Sequence, residues 1–430
     1  MNVRAAVVVL MMLSTAATAQ DGPSKADWDA INGSLKQLEN GRYLDAANIL
    51  RPLAFDAAGK PKAGIFHSQW QEARTRMTAE PVGPEPQPSD NPEVKAAAER
   101  LAAATPRDAI TEIVARAAKT RVVILNEDHG LPRDRAFALE VARALRPLGY
   151  SVLAAETFWN TDDRAPMVRL AKDGYPIHSS GHYTQDPVFG DFVRQSLAMG
   201  YRPVAYEQME KESGGGGSSR ADSISRREDA QSSHLAQVLA ADPKTKMFVY
   251  VGHSHVAEQP IDGRGGAKQS WMATLLKAKT GIDPLTIDQT TLGQSASGYN
   301  GLARRALAAR NFSRSVVMFD GDQPLAFGQY AGAVDLQVYH PVTHWVKGRP
   351  DWLAAMNRRA MAIPAGFLPK KGERLVQAFI AGESDDAIPV DQVLVRAGEE
   401  VPSLMVPGDK PLRLVMQDPS PSSNGVPAKP

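Results

Sequence analysis

The feature that most constrains this chain is a repeated one: apolar runs that end on a carboxylate or an imidazole. Residues 121–130 read RVVILNEDHG, in which a β-branched run meets Glu127 and His129. Gly130 and Pro132 then close the run ahead of a helical pattern over 134–146. Apolar runs without alternation mark strands buried on both faces. Residues 150–158 (YSVLAAETF) end on Glu156, and 202–208 (RPVAYEQ) on Glu207. Residues 246–255 (KMFVYVGHSH) end on His253 and His255, and 284–290 (PLTIDQT) on Asp288. An ordinary buried strand has no need to finish this way. Strands alternating with helices make a parallel sheet, and ligands collect beyond the carboxyl ends of such strands. The expected fold is α/β, a mainly parallel sheet with helices on both faces, with one polar site at one edge.

The flanking regions follow other patterns. Residues 1–19 carry Arg4, an apolar centre and an Ala-Thr-Ala exit, the marks of a secretory signal peptide. A periplasmic or secreted protein is expected, with no membrane span once that peptide is removed. Over 20–77, Trp28, Ile31, Leu35 and Leu38 share one helical face, and Tyr43, Ala46, Leu50 and Leu53 resume the period after Gly41. The wording resembles one tetratricopeptide hairpin, too little for an array; it is expected to pack on the main domain, and its surface is a candidate contact for a partner protein. A proline-rich linker follows at 78–93, then the α/β domain at 94–345. Within that domain 94–119 reads as helical. Residues 346–418 turn to short strands, a small C-terminal β appendage, and 419–430 to a tail. The long stretch 174–190, rich in Gly, Pro, His and Tyr, is expected to be a lid over the site. The GGGG segment at 214–217 lacks the strand and helix of a phosphate loop.

Composition narrows the chemistry. There is no cysteine, which removes disulfides, thiol nucleophiles and cysteine metal sites. A net charge of +1 argues against a nucleic-acid partner. No GxSxG elbow and no GxGxxG loop is present, so neither a serine hydrolase of the usual kind nor a dinucleotide site is indicated. What remains is the set Glu127, His129, Glu156, Glu207, His253 and His255. His129, Glu156 and His255 are of the types that bind a divalent metal. The same groups equally suit a metal-free acid–base pair acting on a small-molecule or peptide substrate. In that chemistry Glu127 orients an imidazole or protonates the leaving group.

NEDH (126–129) and GHSH (252–255) resemble the paired GxxH motifs of the Tiki superfamily. That group contains Tiki proteases, TraB-like proteins, ChaN-like haem-binding proteins and erythromycin esterase-like hydrolases. The resemblance covers roughly 109–289. Glu156 matches the Glu ending the family's next strand, and Arg135 its Arg. Glu127 resembles the Glu of the esterase-type G-E-x-x-H wording, with the His one residue sooner. Asn126 stands where the first motif has Gly. The resemblance implies an α/β fold and an exported hydrolase of ester or peptide bonds, with a divalent metal in one branch. It implies as the alternative a non-catalytic haem- or ligand-binding protein. For that alternative His178, His182 and Tyr183 are the candidate axial ligands.

Overall fold

The computed structural model describes residues 24–62, 64–79, 91–214, 219–263, 266–293 and 299–420. The signal-peptide segment, most of the proline-rich linker, most of the GGGG segment and the tail lie outside them. The chain forms two units: Gly83–Gly174 with Arg194–Thr343, and Met1–Val82 with Tyr175–Val193 and His344–Pro430.

The second of these begins with three helices, α1 (Lys25–Glu39), α2 (Tyr43–Ala54) and α3 (Ile65–Thr78). A capping box starts α1, with the Ser24 and Asp27 side chains each accepting from the other's backbone N–H. Leu38, Tyr43, Leu44, Ala47, Ala73 and Met77 pack in one cluster with Leu375 and Leu394. Those two belong to strands Glu373–Ile380 and Asp391–Arg396, which with Leu412–Gln417 make a three-stranded antiparallel sheet. The N-terminal helices and the C-terminal strands, expected as separate regions, therefore share a core. Neither could bury its apolar face alone.

The stretch 174–190, expected as a lid, is a packed part of this unit. From Tyr175 on it is built into this unit: the Ile177 backbone bridges Ala387, the His178 N–H donates to Asp386 O, and the Ile388 N–H to Pro176 O. Tyr43 Oη donates to Gln185 O at 2.8 Å. A Cβ at Gly190 would lie 2.8 Å from the Ile388 side chain, so glycine permits the close approach. Its aromatic and histidine content reflects burial, which a loop-length argument does not detect.

The other unit is the expected α/β sheet. Its main strands are β1 (Thr105–Asp108), β2 (Val122–Glu127), β3 (Val152–Ala155), β4 (Arg202–Val204), β5 (Met247–Gly252), β6 (Leu285–Asp288), β7 (Val316–Asp320) and β8 (Leu336–Tyr339). They lie in the order β1-β7-β8-β6-β2-β5-β3-β4, with the two-residue strand Gln323–Pro324 added on β7. From β8 to β4 every pairing is parallel; at one edge β7 alone is reversed, pairing antiparallel with both β8 and β1. Helices include α4 (Pro92–Ala103), α5 (Ala109–Ala117), α6 (Pro132–Leu145), α7 (Ala165–Asp173), α8 (Arg220–Ala241), α9 (Met272–Thr280) and α10 (Tyr299–Ala308). Val122, Ile124, Met247 and Val249 pack in one cluster with Leu235 and Leu239 of α8 and Leu276 of α9. Their neighbours Val123, Leu125, Phe248 and Tyr250 are buried too, as a sheet covered on both faces requires.

The helical reading of 94–119 needs correction. Pro106 disfavours helical geometry at Thr105, so the helix stops at Ala103 and β1 intervenes before α5. Asp108 then caps α5, its side chain accepting from the Thr111 N–H. Among the described residues no helix is long and apolar enough to cross a membrane.

Candidate active site

Register sets the site. β2 and β5 are paired so that Glu127 stands opposite Gly252, and β3 beside β5 so that Ala155 stands opposite Tyr250. The Glu156 N–H donates to Tyr250 O and prolongs that ladder. Three adjacent strands thus deliver Glu127, Gly252 and Glu156 side by side at their carboxyl ends.

The first group is Glu127, His129 and Arg135. Pro132 starts α6 just past the strand, and Arg135, near the helix start, turns back to the sheet. Its Nε donates to Glu127 Oε2 at 2.8 Å and its Nη2 to His129 O at 2.9 Å. His129 Nδ1 lies 2.9 Å from Glu127 Oε1. Burial pushes the Glu127 carboxyl up, but Arg135 and His129 outweigh it and hold the group below its ordinary range. Glu127 is therefore an ionised acceptor that orients the imidazole, and not a proton donor to a leaving group. Arg135 is committed to this pair.

The second group is centred on Arg227 of α8. Its Nη2 donates to Glu156 Oε1 at 2.7 Å and its Nε to Glu207 Oε1 at 3.0 Å. Gln231 Nε2 donates to Glu207 Oε2 at 3.0 Å. Glu207, expected at the margin, is thus inside the network. His255 lies between α8 and the sheet: Nδ1 is 2.7 Å from Glu228 Oε2, and Nε2 is 3.1 Å from Arg227 Nη1. Trp271 meets the ring edge-on at 5.6 Å. Burial opposes charge on His255, while Glu228 and Glu156 favour it and raise its proton affinity; Arg227 works against them. Burial likewise opposes ionisation of Glu156, but His255, Arg227, His129 and the Gly252 N–H keep it ionised.

The backbone between the groups is unusual. A Cβ on Gly252 would lie 2.6 Å from His129 Nε2 and 3.1 Å from Glu156 Oε2, so both atoms crowd one side of that glycine. His253 follows with a φ of +39°, costly for a residue with a side chain, and its ring meets His129 edge-on at 5.2 Å. Burial lowers the proton affinity of His253. Asn126 secures this turn: its Nδ2 donates to His253 O at 3.1 Å and to Asp288 Oδ1 at 2.8 Å, and its Oδ1 accepts from the Gln289 N–H at 2.9 Å. The Asn126 side chain therefore ties β2, the β5 turn and β6 together.

All seven expected residues, Glu127, His129, Arg135, Glu156, Glu207, His253 and His255, meet at this edge. Arg227, Glu228 and Gln231 were missed. The available signal was the buried face of α8, where Glu228, Gln231 and Ser232 precede Leu235 and Leu239 at helical spacing. Polar residues on a core-facing stripe are costly unless bonded.

The metal expectation for His129, Glu156 and His255 does not fit these residues. Among the described residues no three His, Asp or Glu side chains stand as a metal-ligating group. The Arg227 guanidinium already stands between Glu156, Glu207 and His255. The residues expected as haem ligands are packed into the other unit. His182 and Tyr183 are buried, and His182 Nε2 lies 3.0 Å from both Glu72 Oε1 and Arg76 Nη2. His178 Nε2 is packed against Gly41, where a Cβ would lie 2.7 Å away.

No family model matches the chain, and no curated protein matches it. Among solved structures it is similar to RRSP, a MARTX toxin effector domain from Vibrio vulnificus CMCP6, at 16% identity and a TM-score of 0.31, over 59% of this chain and 55% of that one. The type III effector HopBA1 aligns at 16% identity and a TM-score of 0.31, over 44% of this chain and 88% of that one. The C-terminal region of Pasteurella multocida toxin, described with a thiol-protease like catalytic triad, aligns at 11% identity and a TM-score of 0.32, over 63% and 39%. The chain spans about half the length of the first of these. Overlaps of this size define no activity for this chain.

Proposed function

We propose that the protein hydrolyses ester or amide bonds with a base built from Glu127 and His129. The observation that carries this reading is the orientation of His129. Its Nδ1 faces an ionised carboxylate fixed by Arg135, and its side chain keeps 17% exposure where Glu127 keeps 2%. A carboxylate at Nδ1 takes the ring N–H and leaves Nε2, which sits beside Gly252 and Glu156 Oε2, as the basic nitrogen. Nε2 removes a proton from water while the water oxygen attacks the carbonyl carbon. Glu156 stays ionised and accepts the second water proton as a hydrogen bond. The His129 imidazolium then returns its proton to the leaving oxygen or nitrogen as the carbonyl bond to it breaks. The Tiki-type motif resemblance supports the same class of reaction.

The test is turnover by the purified full chain of activated esters and a peptide panel, beside His129→Ala and Glu156→Gln. Turnover that both substitutions remove, with the circular dichroism spectrum unchanged, is the expected result. Turnover that survives His129→Ala overturns the reading.

A further inference from the structure

The sheet edge carries two imidazoles, and Arg227, a residue from neither motif, treats them differently. A guanidinium only donates hydrogen bonds. Arg227 Nη1 lies 3.1 Å from His255 Nε2, so that nitrogen must present its lone pair. The ring proton then belongs on Nδ1, where Glu228 Oε2 accepts it at 2.7 Å. Glu228 is itself placed by the Met272 N–H, which donates to the same oxygen at 2.8 Å. Both ring nitrogens of His255 are thereby engaged. Every other charged group facing the ring pulls the opposite way: Glu156 Oε1 is 3.7 Å from Nε2 and invites a proton there. Arg227 is held against that pull by Glu156 and Glu207 together.

We propose that Arg227 is a positioning residue that locks His255 in the Nδ1–H tautomer, leaving base chemistry to His129. The division of labour rests on the hydrolase reading above, whereas the tautomer does not. His255, whose proton affinity Glu228 and Glu156 raise and Arg227 lowers, then serves in its neutral form as a spacer between Glu228 and Arg227, which keeps the guanidinium on Glu156. Without Arg227 the shortest route to satisfying Nε2 is a proton shared with Glu156.

The test is the ring 15N spectrum of the full chain carrying 15N-histidine, at pH 8, with His255 assigned by its loss in His255→Gln. In the unmodified chain the His255 Nδ1 signal is expected in the protonated, pyrrole-type position and Nε2 in the unprotonated, pyridine-type position. In Arg227→Met the Nε2 signal should move to the protonated position. Arg227→Lys, which restores a donor, should bring it part of the way back. A protonated Nε2 in the unmodified chain overturns the proposal, and so does an unmoved tautomer in Arg227→Met. If Arg227→Met does not fold, the unmodified spectrum and Arg227→Lys decide alone. The expected spectra from a chain that hydrolyses nothing support the lock and remove only the hydrolase reading.

Discussion

The two histidine–carboxylate pairs at the sheet edge are made of the same parts and set differently. Glu127 and His129 come from one strand end, two residues apart, and are joined by Arg135 from the start of α6. Glu228 and His255 come from α8 and the turn after β5, so they meet only when that helix has docked. His129 keeps 17% exposure, while His255 keeps 8% and faces Arg227. On the proposed function, a carboxylate behind an imidazole is not enough to make a base: what faces the other nitrogen decides whether the ring works on substrate or holds its neighbours.

The largest expected break in this comparison is His129→Ala, which should cost about 10²–10⁴-fold in kcat, the usual range for losing a general base. His255→Gln should cost less, and steady-state rates of the two variants that reverse this order would assign the base to the wrong pair. Next is Glu127→Gln, which leaves Arg135 buried beside a neutral partner and should lose about 3 kcal/mol of stability at pH 7. The loss should depend on pH with a definite sign. The folded-state carboxyl sits below its ordinary value of 4.5, so its contribution is present above that pH and fades as pH falls through the lower folded value. Thermal melts of the two chains should converge in acid. Gly252→Ala comes third: the new Cβ would sit 2.6 Å from His129 Nε2, and a displaced base should cost roughly 10²-fold in rate. Its melting temperature should move little, and unchanged kinetics would show that the ring has room to retreat. The smallest effect is expected from Asn126→Ala, which leaves buried partners unsatisfied and should cost about 1–3 kcal/mol by denaturant titration.

The first pair was legible in the sequence and the second only in half. β2, β3 and β5 are continuous apolar runs, so their ends, and the residues Glu127, Glu156 and His255 on them, could be placed by period alone. Glu228 and Arg227 sit in RREDAQSSH, a polar stretch whose buried side is marked only further along the helix, by Leu235 and Leu239. β1 escaped because four residues around a proline carry no period. The packing of 174–190 is not legible locally, because its partners Asp386, Ala387 and Ile388 lie some two hundred positions away.

The unit that holds that stretch has a temporal consequence. Its helices α1–α3 share a core with strands from the far end of the chain. The Leu44 N–H donates to the Gln417 side chain, and Gln417 Nε2 donates to Gly41 O, contacts separated by 373 and 376 positions. A ribosome adding roughly 5–20 residues per second needs on the order of 20–75 s to make that length of chain. For that interval the newborn helices have no strands to cover Leu38, Leu44 and Met77, although the whole sheet unit has already emerged. The amino terminus is thus among the earliest parts to be made and the last to be finished. During that time its apolar face is one a chaperone can hold.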